Sequence, residues 1–381
     1  MKKFKVLTIL LFALILSSTS LAQQVANVET KTFKSRYFSF DREVLIYTPE
    51  NYNEATQSEY DVIYVFDAQA RSFFDLVHAL LHYNVQEQND QNFIVVGVVS
   101  PFMPEIEYHR NNDFLPIPEY ITLSTPYYGK SNEFKKFIKE ELMPYINTHY
   151  QTSGHTLAIG HSLGASFALD VLVTDELFDD YIAISPNFAW DKERFARGFM
   201  QYDFNNKKPR YIYLSMANES EMTGWPTEWR PAWEKVKKFV ETSQLPQYVQ
   251  IKISEFPALE HNKTILPALL EALSDYVKYR QSPIISDSTL YPVHIELSGA
   301  SLRGDVYITG SQSSLCNWNP QGVKMKQLND STYSIDLQLQ LPVDFKFTQG
   351  SWENQIWIEN GNAGNQRISL PSKTTKYYKT F

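Results

Sequence analysis

The sequence predicts an α/β fold on a mostly parallel central sheet, followed by a small all-β sandwich. Three observations carry that expectation. Between about residues 28 and 280, short β-branched or aromatic runs alternate with longer stretches of helical periodicity, the pattern of strands joined by crossover helices. One strand-like run, HTLAI, passes directly into Gly160-His161-Ser162-Leu163-Gly164 and then into a helical run. Beyond residue 291 the helical pattern stops, and short alternating segments are separated by Gly, Asn, Asp and Pro.

The chain begins MKKFKVLTILLFALILSSTSLAQ, a lysine-rich head, an apolar run and small residues, which is the layout of a cleavable secretory signal. Cleavage is expected after Ala22, so residues 1–22 form the predicted signal peptide. The apolar run is short for a membrane span and no other stretch approaches the required length, so no membrane partner is expected after cleavage. Loss of Lys2, Lys3 and Lys5 with this leader moves the formal net charge from −8 to −11. An acidic surface of that kind argues against nucleic acid as a partner. The single cysteine, Cys316, has no internal partner for a disulfide, so stability must come from packed cores. The 24 Tyr and 24 Phe suit both large cores and sugar-stacking surfaces.

In chain order, residues 44–47, 62–66, 93–99, 156–159, 181–184, 211–214 and 249–253 read as buried strands. Residues 132–150 read as a helix, with Phe134, Phe137, Ile138, Leu142 and Ile146 recurring at intervals of three and four, and residues 265–279 as another. The α/β unit is assigned to residues 23–280. Residues 281–291, QSPIISDSTLY, lose periodicity and gather Ser, Pro and Asp, marking a linker. Within residues 292–381 the segments VHIEL, DVYITG, STYSIDLQL, VDFKFTQ and NQIWIEN are the predicted strands of the sandwich.

The run from 160 to 164 is the G-x-S-x-G nucleophile elbow in its required setting between strand and helix. Its glycines permit a tight turn, Ser162 is lifted above the sheet edge, and the helix N-terminus favours a developing negative charge. The Leu163 amide would supply one oxyanion donor. The second would come from the loop after residues 62–66, Asp67-Ala68-Gln69-Ala70, with Ala68 and Gln69 both candidates. A serine hydroxyl needs an imidazole to take its proton. His261 satisfies the chain order, on a loop between a strand and the last helix of the unit, whereas His161 lies inside the elbow, His78 and His82 fall on a helical run, His109 comes early and His155 starts the elbow strand. The orienting carboxylate is expected in MANESE, which offers Glu219 and Glu221; Glu219 is preferred because it lies nearer the strand end.

Several stretches taken together resemble the putative esterase family of α/β hydrolases, which includes S-formylglutathione hydrolase, enterobactin esterases and bacterial feruloyl and acetyl-xylan esterases. They are VIYVFDAQARSFF, FIVVGVV, RNNDFLP, the long run from FKKFIKEELMPYINTHY through the elbow to DDYIAISP, YIYLSMANESE and EFPALEHNKTILPALLEAL. The resemblance implies an α/β-hydrolase fold, with the family's serine on Ser162, its histidine on His261 and its acid on Glu219. It places Arg110 and Asp113 of RNNDFLP near the pocket. Two departures stand out: Ala165 where the family usually has a second glycine, and glutamate where many members have aspartate. The C-terminal segment DVYITGSQSSLCNWNPQGVKMKQLNDSTYSIDLQL resembles starch-binding-type carbohydrate modules, with Asn317-Trp318-Asn319-Pro320 as the shared turn.

The implied activity is serine-dependent hydrolysis of a carboxylic ester through an acyl-enzyme, without metal or organic cofactor. The substrate expected is a small-molecule or saccharide ester in an exported, periplasmic or secreted compartment. Siderophore ester hydrolysis, glycan binding on an inactive hydrolase scaffold, and acyl transfer to a sugar are the alternatives. Arg110, Trp190, Trp225 and Trp229 are expected to line the substrate pocket, with Trp233 in the same tryptophan-rich segment. Trp318, Trp352 and Trp357 are the candidates to stack on a polysaccharide.

Overall fold

The structure, a computed structural model, describes residues 27–49, 52, 59–88, 93–122, 125–205, 209–220, 225–281, 289–358, 365–368 and 374–380. The predicted signal peptide, Glu221 and residues 282–288 of the predicted linker lie outside them. An eight-stranded sheet organises the first part: β1 (Asn27–Phe33), β2 (Arg42–Thr48), β3 (Tyr60–Phe66), β4 (Phe93–Val98), β5 (Thr152–His161), β6 (Asp180–Ile184), β7 (Arg210–Ala217) and β8 (Val249–Phe256). Their order across the sheet is β1-β2-β4-β3-β5-β6-β7-β8. All neighbours from β4 to β8 pair in parallel, while β1 and β2 are antiparallel.

The parallel strands are apolar because both sheet faces are covered. On β3, Val62, Tyr64 and Phe66 enter one core while Ile63 and Val65 enter the other, the period-two alternation of a strand. The helices that cover these faces are α1 (Arg71–Gln88), the short α2 (Arg110–Phe114), α3 (Ser131–Phe137), α4 (Met143–His149), α5 (Leu163–Thr174), α6 (Trp190–Gln201), α7 (Trp225–Thr242) and α8 (Ile265–Gln281). The single helix expected over 132–150 is instead α3 and α4 joined by a π turn at Ile138–Leu142. Its apolar residues still face one core, since Phe134, Phe137, Ile138, Leu142 and Ile146 are all buried. Among the described residues no helix is long and apolar enough to cross a membrane.

The C-terminal part is a sandwich of two sheets around its own core, which includes Ile295, Leu297, Ile308, Phe345, Phe347 and Tyr378. One sheet orders β12 (Lys326–Asn329), β13 (Thr332–Leu339), β9 (Tyr291–Ser298) and β17 (Thr375–Lys379). The other contains β11 (Val323–Lys324), β10 (Tyr307–Gly310), β14 (Val343–Thr348) and β15 (Gln355–Ile356), with β16 (Gln366–Ile368) also on β14. The predicted strands are present. The sequence reading missed β1, β11, β12, β16 and β17.

Candidate active site

The chain turns from β5 into α5 within one residue, Ser162, whose φ of 58° and ψ of −124° lie where side chains other than glycine are rarely found. Hydrogen bonds hold this strained residue: its amide donates to Ile184 O at 2.9 Å, and its carbonyl accepts from Ser166 N at 3.0 Å. Gly160 is obligatory here, because a Cβ on it would sit 2.3 Å from the Gly164 backbone. Ala165, in place of the second glycine, is fully buried in the helix. As the first residue of α5, Leu163 has no intrahelical acceptor for its amide, which leaves that donor for another group.

The loop after β3 separates the two candidates for the second donor. Ala68 N is spent on Val98 O at 3.2 Å, so it cannot serve, and that candidate is corrected. The Gln69 amide donates to no group among the described residues. The Gln69 side chain holds the loop in place, donating to Asp67 Oδ1 at 2.6 Å and accepting from Ser100 N at 2.9 Å. Asp67 itself has a φ of 66° and receives Arg110 in a bidentate pair, Nε to Oδ1 at 2.6 Å. A fork of this kind fixes orientation as well as charge.

Residue Arg110 therefore stands at the pocket, but Asp113 does not. Asp113 is fully buried on the other side of α2, where Arg42 Nη1 and Nη2 reach its two oxygens at 3.0 and 2.8 Å. The guanidinium of Arg42 lies 4.8 Å from the ring centroids of both Phe38 and Phe134. Asp113 thus anchors the helix that carries Arg110.

On the third side of the pocket, β8 leads into a single 3-10 turn, His261–Thr264, that starts α8. Glu219, after β7, is completely buried at a φ of 54°, and its Oε2 lies 2.7 Å from His261 Nδ1. Asn218 N donates to Leu259 O at 3.0 Å, tying the two loops together. With the carboxylate accepting at Nδ1, the neutral imidazole carries its proton there and keeps Nε2 basic. Ser162 and His261 line one cavity of about 350 Å³, together with Gln69, Phe73, Arg110 and His161.

His161, set aside on sequence because it lies inside the elbow, touches His261. Its Nε2 donates to His261 O at 3.3 Å and the two rings lie 4.5 Å apart. Burial, reinforced by the neighbouring His261, holds His161 down to about 3, so it stays neutral. Its position directly before the serine was the only signal in the sequence.

The tryptophans divide. Trp229 lies edge-on to His261 at 5.4 Å and, with Trp190, Ile121 and Pro231, lines a second cavity of about 480 Å³. Trp233 is a correction: it is fully buried against Phe188, with Nε1 donating to Glu255 Oε1 at 3.1 Å, and forms core. The expectation for Trp225 concerns a side chain outside the described set. Asp191 was not foreseen; fully buried, it accepts from the amides of Glu119, Tyr120 and Ile121 at 2.8, 2.8 and 3.1 Å and holds that loop beside the second cavity. In the sandwich Trp352 and Trp357 are exposed and Trp318 is half-buried. Among the described residues no group of three or more His, Cys, Asp or Glu could hold a metal ion.

Comparison with known proteins agrees with this architecture. The chain is 26% identical over 285 residues to the ferri-bacillibactin esterase BesA of Bacillus subtilis, covering 70% of this chain and 95% of that protein. The crystal structure of the BES protein from Bacillus cereus superposes with a TM-score of 0.53 at 25% identity, covering 65% of this chain and 93% of that one. An IroE-like serine hydrolase from Shewanella oneidensis shares the fold, with a TM-score of 0.56 at 22% identity over 66% of this chain and 80% of its own. Residues 291–380 match the family described as starch binding domain, and residues 35–273 match the family described as putative esterase. The chain therefore belongs to the putative esterase family and is a serine esterase of α/β-hydrolase fold with a C-terminal starch-binding-type domain.

Proposed function

We propose that Ser162 is the nucleophile, His261 its general base and Glu219 the orienting acid. The observation that carries this reading is the 2.7 Å contact between Glu219 and His261 Nδ1, with His261 and Ser162 lining one cavity. His261 Nε2 takes the hydroxyl proton as Ser162 Oγ attacks the ester carbonyl, then gives it to the departing alcohol. The oxyanion forms between the amides of Leu163 and Gln69. Water, losing a proton to His261, adds to the acyl-enzyme and releases the acid, restoring Ser162. Arg110 acts through Asp67 to hold the oxyanion loop, and His161 positions the main chain of His261.

The substrate favoured is an acylated saccharide or similar ester that enters between the first cavity and the aromatic wall of Trp190 and Trp229. The starch-binding-type domain supports a saccharide context, with Trp318, Trp352 and Trp357 as stacking residues. A siderophore ester is the second reading, favoured by the similarity to a ferri-bacillibactin esterase. Export through cleavage after Ala22, with Gln23 as the new N-terminus, belongs to the same proposal, as does division into an esterase unit at 23–280 and a module at 292–381. Turnover of p-nitrophenyl acetate tests the chemistry: Ser162→Ala should lower it by roughly a million-fold, toward the uncatalysed rate. Equal slow turnover by both proteins would remove Ser162 from its role. A panel of acetylated, feruloylated and siderophore esters then separates the substrates.

A further inference from the structure

The cavity with Ser162 lies at the C-terminal ends of β3 and β5, where Asp67 and Ser162 follow their strands. The sandwich contacts the opposite end of β3. Glu59, just before that strand, pairs with Lys376 of β17 at 2.7 Å, each side chain only 5% exposed. Asp61 pairs with Arg280 near the end of α8 at 2.8 Å, at 1% and 2% exposure. Arg367 of β16 donates to Arg280 O at 3.4 Å and pairs with Asp344 of β14 at 3.3 Å. A continuous run of buried charge therefore leads from the central strand of one unit into both sheets of the other. Asp61–Arg280 lies within the first unit and Arg367–Asp344 within the sandwich; the Glu59–Lys376 pair and the Arg367 bond to Arg280 O cross between them, and separating the units would strand the charges of Glu59 and Lys376. From Asp61 to Asp67 is six residues, about 20 Å at a rise of about 3.3 Å per residue.

The exposed tryptophans lie at the ends of the sandwich strands away from this joint. β14 leaves the joint at Asp344 and ends at Thr348, before the hairpin that carries Trp352, closed by Gln349 N donating to Asn354 O at 2.9 Å. Trp357 sits beside the far end of β17, where Thr380 Oγ1 donates to its carbonyl. Trp352 and Trp357 are 42% and 49% exposed.

From this polarity we infer that the module is a fixed anchor and does not deliver substrate: an α-glucan held on the Trp352 and Trp357 end stays at the pole away from Ser162, and the ester hydrolysed is a separate, diffusing molecule. The inference rests on the catalytic and glycan-binding readings given above. A module that fed the pocket would need its aromatic platform at the C-terminal rim or a joint free to swing, and the buried Glu59–Lys376 pair with the Arg367 bond to Arg280 O, at the opposite rim, provide neither.

The test uses the full-length protein, insoluble starch and p-nitrophenyl acetate. The expected result is retention on starch, lost in W352A/W357A, with kcat/KM of the starch-bound wild type within twofold of the free enzyme. Retention accompanied by a fivefold or greater loss of turnover, or by competition between soluble amylose and the ester, overturns the anchor while leaving glycan binding intact. Activity that stays wholly in the supernatant overturns it together with the glycan reading. Retention with turnover that survives Ser162→Ala overturns the catalytic reading, and the inference with it.

Discussion

The two rims of the central sheet both bury carboxylates against cations, yet they differ in backbone and in what is left open. At the C-terminal rim Asp67, Ser162 and Glu219 all have positive φ, and the Leu163 amide has no helical acceptor. At the N-terminal rim Asp61 and Glu59 meet Arg280 and Lys376 in closed pairs, and neither carboxylate residue has a positive φ. Burial and ion pairing are therefore shared by a reactive edge and a joint. What sets the reactive edge apart is strain held in place by hydrogen bonds beside donors that remain unspent. Asp61 shows how far a buried acid can be from reactivity: burial pushes its carboxyl up, but Arg280 and Arg367 override this and leave it well below the usual carboxylate range.

The comparison breaks most easily at Glu219. Glu219→Gln keeps the side-chain length but removes the charge that fixes the His261 tautomer, and kcat on p-nitrophenyl acetate should fall on the order of 10,000-fold. Activity within tenfold of wild type would mean that the strained carboxylate is only structural. At the other rim, Asp61→Asn leaves Arg280 without its buried partner and should lower stability by about 3–5 kcal/mol in denaturant titration, with kcat unchanged below the unfolding transition. The pH dependence has a definite sign. A carboxyl held low in the folded state contributes stability above its unfolded pKa of about 3.9 and loses it as pH falls through the lower folded value. The gap between wild type and Asp61→Asn should therefore persist at neutral pH and close only below about pH 4. A loss of kcat in Asp61→Asn at temperatures where it remains folded would show that the two rims are coupled.

Where a local pattern determines structure, the sequence was legible. The elbow could be read because only glycine at 160 fits beside the Gly164 backbone, and β3 because its stretch 62–66, covered on both faces, is an unbroken apolar run. Features set by distant partners were not. β17 pairs in parallel with β9, about eighty residues earlier, and its TKYYK sequence has little local signal. Asp113 was placed with its neighbour Arg110, whereas its partner Arg42 is brought up from 71 residues away. Trp233 sits in a tryptophan-rich segment that reads as pocket wall, but it lies one helical turn beyond Trp229 on the same face of α7, which carries it past the cavity into the core while Trp229 meets His261. The choice between Ala68 and Gln69 depended on one carbonyl, Val98 O, which belongs to a neighbouring strand.

The finest test of the contrast concerns His161, a buried group at the reactive rim that is neither strained nor charged. Its hydrogen bond to His261 O calls for a donor and its contact with the His261 ring calls for a neutral group. His161→Gln offers an amide donor and should retain most of kcat, whereas His161→Ala should lose roughly 10-fold to 100-fold through displacement of the base, with KM little changed. A histidine whose folded value is depressed to about 3 contributes stability that is present above its unfolded pKa of about 6.5 and is lost as pH falls toward 3. His161→Gln should flatten that part of the stability profile while leaving the pH dependence of kcat/KM in place, because in the proposed mechanism the proton that moves during turnover is carried by His261. If the substitution instead moved the kinetic pKa, His161 would be sharing that proton, and the division between the base and its support would have to be redrawn.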